Sequence, residues 1–276
     1  MSIELIPLSA DIGVEIRGLD PTVLDDENIA AFRSAFDRYH LVLLRDVILS
    51  EAEQSRLTET LGEVSFESPI MKKGGGRKFS FIGNQHKDGE LRDGELLFHA
   101  DHTFFSAPLK AIALYSLAAP SVGGETLFSN AAAAYQRLPE ALKQRIAGLE
   151  ARHVASYAAF AGDSRPRFDP NSKAKVAVHP VVWAHPDSGE KVLFVSRLLT
   201  ESILGLPQAE SESLLGELFA YIEDPSYHYA HKWRVGDYVV WDNRQLQHAR
   251  QDFDASEKRA LRRIPIAQPN VMGPKS

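Results

Sequence analysis

Apolar residues recur at helical intervals in four stretches of this chain. Between Asp25 and Tyr39, Ile29, Phe32, Phe36 and Tyr39 are spaced by three, four and three residues, the stripe of a helix lying on a core. Ser50 and Glu53 have the spacing of a capping box and predict a second helix running on through Leu57 to Leu61. Pro139 suits the first turn of a third, with Leu142 and Ile146 on its buried side. Leu214, Leu215, Leu218, Phe219 and Ile222 mark a fourth, ended near Pro225. Between these lie short β-prone runs: Leu41–Leu44, Ala111–Leu117, Val176–Val182, Val192–Val195, Asp237–Trp241 and Arg259–Ile266. Many short strands separated by turn residues predict a mainly β sandwich or barrel with peripheral helices. A parallel Rossmann sheet fits worse, because strand and helix do not alternate regularly.

No repeat or long linker divides the chain, so residues 1–276 read as one domain. Residues 67–95 stand apart as a long polar stretch interrupted by Gly74-Gly75-Gly76, expected to be an active-site loop or lid. The triple glycine is not a phosphate loop, since no Gly-Lys-Ser/Thr follows. Composition narrows the chemistry. A formal charge of −6 argues against a broad nucleic-acid-binding surface. Cysteine is absent, which excludes disulfides, thiolate metal sites and cysteine nucleophiles, so any metal must be held by His and carboxylates. No apolar run reaches the roughly 18 residues needed to span a bilayer, and the N-terminus lacks a secretory signal. The expectation is a soluble, cytoplasmic protein with neither nucleic-acid nor membrane partners.

His99-Ala100-Asp101 is the first chemical signal. On a strand or strand end, residues i and i+2 project to the same side, so an imidazole and a carboxylate can take adjacent corners of a metal. A third corner needs a distant His, and His248 follows Trp241-Asp242-Asn243-Arg244. Two His and one carboxylate leave three positions open, as in non-haem Fe(II) oxygenases. A structural His–Asp hydrogen bond is the plainer account of the first pair taken alone. Arg259 lies 11 residues beyond His248 and Arg263 four further, past a polar turn at Asp252 to Glu257. On a return strand Arg259, Leu261 and Arg263 share one face, while Arg262 and Ile264 share the other. Two inward cations need anionic partners. No acidic residue in that strand supplies them; small carboxylate ligands would.

Together with Gly123-Gly124-Glu125-Thr126 and the opening Tyr39-His40-Leu41-Val42-Leu43-Leu44-Arg45-Asp46, these residues resemble the taurine dioxygenase (TauD/TfdA) family, from Ile3 to about Pro269. The resemblance implies a double-stranded β-helix (jelly roll) and a dioxygenase using Fe(II), 2-oxoglutarate and O2. It assigns His99, Asp101 and His248 to iron, and Arg259 with Thr126 to the distal carboxylate of 2-oxoglutarate. Arg263 matches the position that meets the acidic end of the primary substrate in sulfonate- and carboxylate-using members, a structural ion pair being the alternative. The implied reaction decarboxylates 2-oxoglutarate to succinate and CO2 while oxidising a C–H bond, most simply by hydroxylation. Retention of Asp101 argues against halogenation, since related halogenases carry a small residue there.

The family likeness runs out at the substrate. Glu95 and Leu199 stand where taurine-using members carry an amide and an aromatic, which puts taurine in doubt. A small organic acid is expected, an amino acid or aryloxyalkanoate among the candidates, with Glu95, His102 and Phe104 at the cavity or its wall. A structural role is the alternative for His102, and a core position for Phe104, Phe105 and Phe160. His40 and His179 read as core histidines, His228 and His231 as surface or strand-edge residues, and His86 as part of the lid. Trp183 to Gly189 reads as a hairpin turn without chemical role, and Glu210, Glu212 and Glu217 as a solvated helix face. Two competing readings are a zinc hydrolase on the same three ligands and a jelly-roll binding protein without catalysis. Hydrolysis offers no use for the paired arginines and Thr126. A homo-oligomer is expected from the resemblance alone.

Overall fold

The computed structural model describes residues 3–66, 77–86, 89–91, 94–155 and 168–269. Its larger sheet has the order β1 (Glu4–Pro7), β2 (Val14–Arg17), β3 (Leu41–Leu44), β15 (Tyr238–Asp242), β7 (Ala111–Ala118), β17 (Ala260–Ile266), β4 (Ser80–Gly83) and β5 (Gly89–Glu90). The smaller runs β14 (His228–His231), β8 (Thr126–Asn130), β16 (Leu246–Arg250) and β6 (Leu96–His99). Pairing is antiparallel except between β2 and β3 and between β4 and β5. A further sheet, β10 (Val176–Pro180), β9 (Glu150–Val154) and β13 (Thr200–Ile203), and a hairpin, β11 (Val182–Ala184) with β12 (Lys191–Leu193), lie outside this sandwich.

The central strands are apolar on both faces because both faces are covered. Leu41, Leu43, Ile112, Leu114, Val239, Trp241 and Leu261 meet Phe128 and Leu246 of the smaller sheet in the core between sheets. Their alternates Val42, Leu44, Ala113, Tyr115, Val240 and Ile264 pack outward against Phe32, Phe36 and Leu57. Those three belong to α1 (Asp26–Tyr39) and α2 (Glu51–Glu59). Behind the smaller sheet, Phe98 and Ala249 pack on α3 (Ala131–Arg137), α4 (Glu140–Ile146) and α5 (Gln208–Ile222). The helix-flanked β-sandwich is the predicted class.

Local signals held closely. Asp25 caps α1 by accepting from the Asn28 N–H at 2.8 Å, and the Ser50–Glu53 capping box is formed in both directions. Pro139 sits at the N-cap of α4, one position before the predicted first turn. The run Val176–Val182 breaks into β10 and β11, and the last long strand starts at Ala260 rather than Arg259. The stretch 67–95 is not wholly loop, since β4 and β5 form within it by pairing with β17 and with each other. Residues 67–76, 87–88 and 92–93 of that stretch, and Phe160, lie outside the described residues. Among the described residues no helix is long and apolar enough to cross a membrane.

Candidate active site

Strands β6 and β16 pair antiparallel with His99 opposite His248, which brings the two imidazoles to a centroid separation of 4.3 Å. The chain leaves β6 after His99, and Asp101 follows on the turn. Its carboxylate approaches His99 Nε2 at 3.3 Å, and one ligand atom from each of His99, Asp101 and His248 lies within 4.8 Å of the other two. His99 Nδ1 lies 2.8 Å from the Leu97 carbonyl, so Nε2 is the nitrogen left for a metal. Burial, reinforced by the neighbouring His99, pushes the His248 imidazole down to about 3, which keeps it neutral as a ligand must be. Burial opposes ionisation of Asp101, but Arg263 and the His99 hydrogen bond hold its carboxyl well below the usual range. Two neutral imidazoles and a carboxylate are a donor set that fits Fe(II).

Asn243 holds this turn in place. Its Oδ1 accepts from the Asp101 N–H at 2.8 Å, while its Nδ2 donates to the carbonyls of Asp101 and Leu109, both at 3.0 Å. The side chain is buried and touches no ligand atom of the triad; it fixes the backbone from which the carboxylate projects. Asn243→Ala is expected to weaken metal binding by roughly 10- to 100-fold, the usual cost of losing such support. Titration with Fe(II) or Mn(II) measures it, and unchanged affinity would remove Asn243 from this role. Its neighbours form a separate network that runs from the core to the surface, in which Asp242 accepts from His185 at 3.0 Å and from Arg244 at 2.8 Å, and Arg244 reaches the exposed Asp187 at 2.7 Å. The predicted hairpin turn therefore has a structural duty through His185.

On β17 the predicted alternation holds. Arg262 faces outward, donating to Gln54 Oε1 at 2.5 Å and to the Leu49 carbonyl at 2.8 Å. Arg259 and Arg263 line a cavity together with the triad, Thr126 and apolar walls that include Leu91, Leu96 and Trp241. The two arginines differ. Arg263 has an anionic partner that its own strand could not reveal: Asp101 Oδ2, 2.5 Å from its Nη2. Arg259 has none among the described residues. It is 2% exposed, its Nη1 has no hydrogen-bond partner, and its Nε reaches the Gly124 carbonyl only at 3.4 Å. Burial, with Arg250 nearby, pushes its guanidinium down to about 9. The preceding Gly123 lets the chain at Asp252 and Phe253 pass closely, with φ of +77° and an added Cβ falling 2.5 Å from the Asp252 carbonyl oxygen. Thr126 presents its hydroxyl at the same cavity and accepts from Trp233 Nε1 at 3.0 Å.

Three predicted substrate residues are not brought to the cavity lining. Glu95 is exposed, one residue before β6. His102 occupies a left-handed conformation (φ 64°) and its ring packs on Phe104 and Phe105. Phe104 packs against Leu198 and Leu199. Past Asp101 the backbone of the turn meets His179, whose Nε2 lies within 2.9 Å of the carbonyls of Thr103 and Phe105. His179 is thus the satisfied core residue expected. His40 is instead the half-buried C-cap of α1, with φ of 59°. His231 is on the edge strand β14 but not at the surface: it is fully buried, 3.1 Å from Asp237, with Trp233 over its ring. His86 stacks on Phe81. Glu210 and Glu217 form the solvated face expected, with Arg145 at 3.2 and 4.0 Å. Arg250 and Asn243 received no role from the sequence. The only signal for Asn243 was its place in the Trp241–Arg244 motif, and for Arg250 its spacing of two from His248.

The model of the taurine catabolism dioxygenase TauD, TfdA family matches residues 4–264. The chain belongs to this family. It is 31% identical to an (S)-phenoxypropionate/alpha-ketoglutarate-dioxygenase of Sphingobium herbicidovorans, over 96% of this chain and 94% of that one. An alpha-ketoglutarate-dependent sulfate ester dioxygenase of Pseudomonas putida is also 31% identical, over 97% of this chain and 90% of its own length. Among solved structures, a taurine dioxygenase from Burkholderia xenovorans superposes with a TM-score of 0.81 at 32% identity, covering 98% of this chain and 90% of the other. The chain is a TauD/TfdA-family 2-oxoglutarate (alpha-ketoglutarate)-dependent dioxygenase with the jelly-roll core of that family.

Proposed function

We propose that this dioxygenase uses Fe(II) on His99, Asp101 and His248 to oxidise, most simply by hydroxylation, an aliphatic C–H bond of a small organic acid. The observation that carries the reading is Arg259, a buried cation without an anionic partner among the described residues, facing the same cavity as the triad. A planar guanidinium holds a carboxylate bidentately, and Thr126 offers a hydroxyl beside it. A zinc hydrolase on the same ligands would leave that cation without purpose. When bound, iron and 2-oxoglutarate supply the oxidising power, as O2 is consumed and succinate and CO2 are released.

The chain's own residues then have distinct tasks. His99, Asp101 and His248 would hold the iron and leave coordination positions free for co-substrate and O2. Arg259 and Thr126 hold the far carboxylate of 2-oxoglutarate. Arg263 donates to Asp101 through one nitrogen, and its remaining N–H groups can take the acid group of the primary substrate. The apolar walls exclude water and receive the substrate's hydrocarbon part. The names of two relatives, phenoxypropionate and sulfate ester dioxygenases, refer to acidic substrates and support an acid here.

Anaerobic addition of Fe(II) and 2-oxoglutarate should produce the weak visible charge-transfer band of the chelate. Admission of O2 with a panel of amino acids, aryloxyalkanoates and alkyl sulfates should then release succinate fastest with the true substrate class. Arg263→Ala should raise the KM for the best acid by roughly ten- to a hundredfold, the loss of one charge-assisted hydrogen bond. Unaltered KM and kcat in that variant would end the anchor role. Absence of both the band and succinate release would end the iron-oxygenase reading.

A further inference from the structure

The strand that delivers His248 to the cavity delivers a second inward residue two positions on. On β16 Leu246 enters the core between the sheets and His248 enters the metal site. Arg250 follows in the same alternation, opposite Thr126 on β8 and Leu96 on β6. Its residue is 4% exposed. It reaches two carbonyls of the chain just before β6. Nη1 donates to Leu91 O at 2.5 Å, and Nε and Nη2 both donate to Gly94 O, the former at 2.9 Å. Leu91 is one of few non-glycine residues here with positive φ, at +52°. That conformation is strained for an L-residue and persists only where surrounding contacts hold it. Its side chain lines the cavity shared by the triad, Arg259 and Arg263.

We propose that Arg250 is a positioning residue: by holding the Leu91 and Gly94 carbonyls it sets Leu91 as the apolar wall against which the substrate's hydrocarbon part rests. The inference depends on the function proposed above and names the residue pair that shapes its specificity. A forked, planar guanidinium can serve two carbonyls separated along the chain; a lysine ammonium is a single point on a flexible stem. The guanidinium carbons of Arg250 and Arg259 lie 5.8 and 5.9 Å from the centroid of the Phe253 ring. The wall's support and the co-substrate's anchor thus share one platform, which keeps Leu91 in register with the bound co-substrate.

The test uses the full chain with Fe(II), 2-oxoglutarate and the best acid from the panel, comparing Arg250→Lys, Arg250→Met and Leu91→Gly with the unaltered protein. Both Arg250 variants are expected to raise the KM for the acid roughly tenfold or more, as for a lost fit in an apolar pocket. They should also lower the fraction of succinate matched by oxidised acid, while the KM for the co-substrate stays unchanged within about threefold. Leu91→Gly, whose backbone accepts the left-handed conformation without strain, should reproduce the pattern with Arg250 in place. A wild-type-like Arg250→Lys would overturn the proposal. So would a rise confined to the co-substrate KM, which would make Arg250 part of the electrostatics that hold 2-oxoglutarate. If the Arg250 variants fail to fold, normal acid KM and coupling in Leu91→Gly overturn it alone. Succinate release by the unaltered protein alongside unaffected variants sinks only this inference; its absence sinks the proposed function as well.

Discussion

Replacing Arg259 by Ala is expected to weaken 2-oxoglutarate binding by about two to three and a half decades. The figure follows from the roughly 3–5 kcal/mol lost when one partner of a buried ion pair is removed, at about 1.4 kcal/mol per decade. The geometry adds a second effect of opposite sign. In the ligand-free chain Arg259 is buried, with one guanidinium nitrogen unbonded and no carboxylate against it among the described residues. Such a charge destabilises the fold that contains it. Arg259→Met, which keeps much of the volume and removes the charge, should therefore melt at a higher temperature than the unaltered protein when both are free of ligand. With Mn(II) and 2-oxoglutarate at about a hundred times Kd, the unaltered protein should gain about 2.7 kcal/mol and the variant almost nothing. Paired thermal melts read both effects. A variant that keeps its ligand-induced stabilisation would show that Arg259 does not bind the co-substrate.

Asp101→Ala should abolish metal binding and also destabilise the metal-free fold. The first follows from loss of the only carboxylate among the three converging donors. The second follows because Arg263, whose side chain is 10% exposed, would lose its partner. Stranding a buried charge in this way costs about 3–5 kcal/mol, or roughly 6–20 °C in melting temperature for a domain near this size. The double variant Asp101→Ala/Arg263→Ala should recover much of that stability while metal binding stays lost. The non-additivity isolates the pair. If the single variant melts where the unaltered protein does, the Asp101–Arg263 contact contributes nothing to the fold and the double variant becomes uninformative.

Features set by neighbours along the chain were legible. The Ser50–Glu53 capping box, the Asp25 cap and the stripe of α1 all depend on residues within four positions of one another. The opposite facing of Arg259 and Arg262 follows from strand alternation alone. Strand β4 was missed because it lies in a polar, glycine-interrupted stretch and exists by pairing with β17, about 180 residues away along the chain. His231 looked peripheral because an edge strand usually is, whereas Asp237 and Trp233 return from the following turn to cover it.

The same division governs the site. Composition and spacing limited the chemistry available: no thiolate, a His-X-Asp pair, a distant His, and two arginines on one strand face. Family resemblance then named the activity that relatives share. Which groups meet was settled by the packed chain. It set His99 opposite His248, gave Asp101 to both Asn243 and Arg263, left Arg259 without a carboxylate among the described residues, and placed Arg250 rather than Glu95, His102 or Phe104 on the cavity lining. Periodicity assigns a side chain to a face of its own element. What stands across from it depends on sheet register and on turns, which are fixed by packing between distant segments.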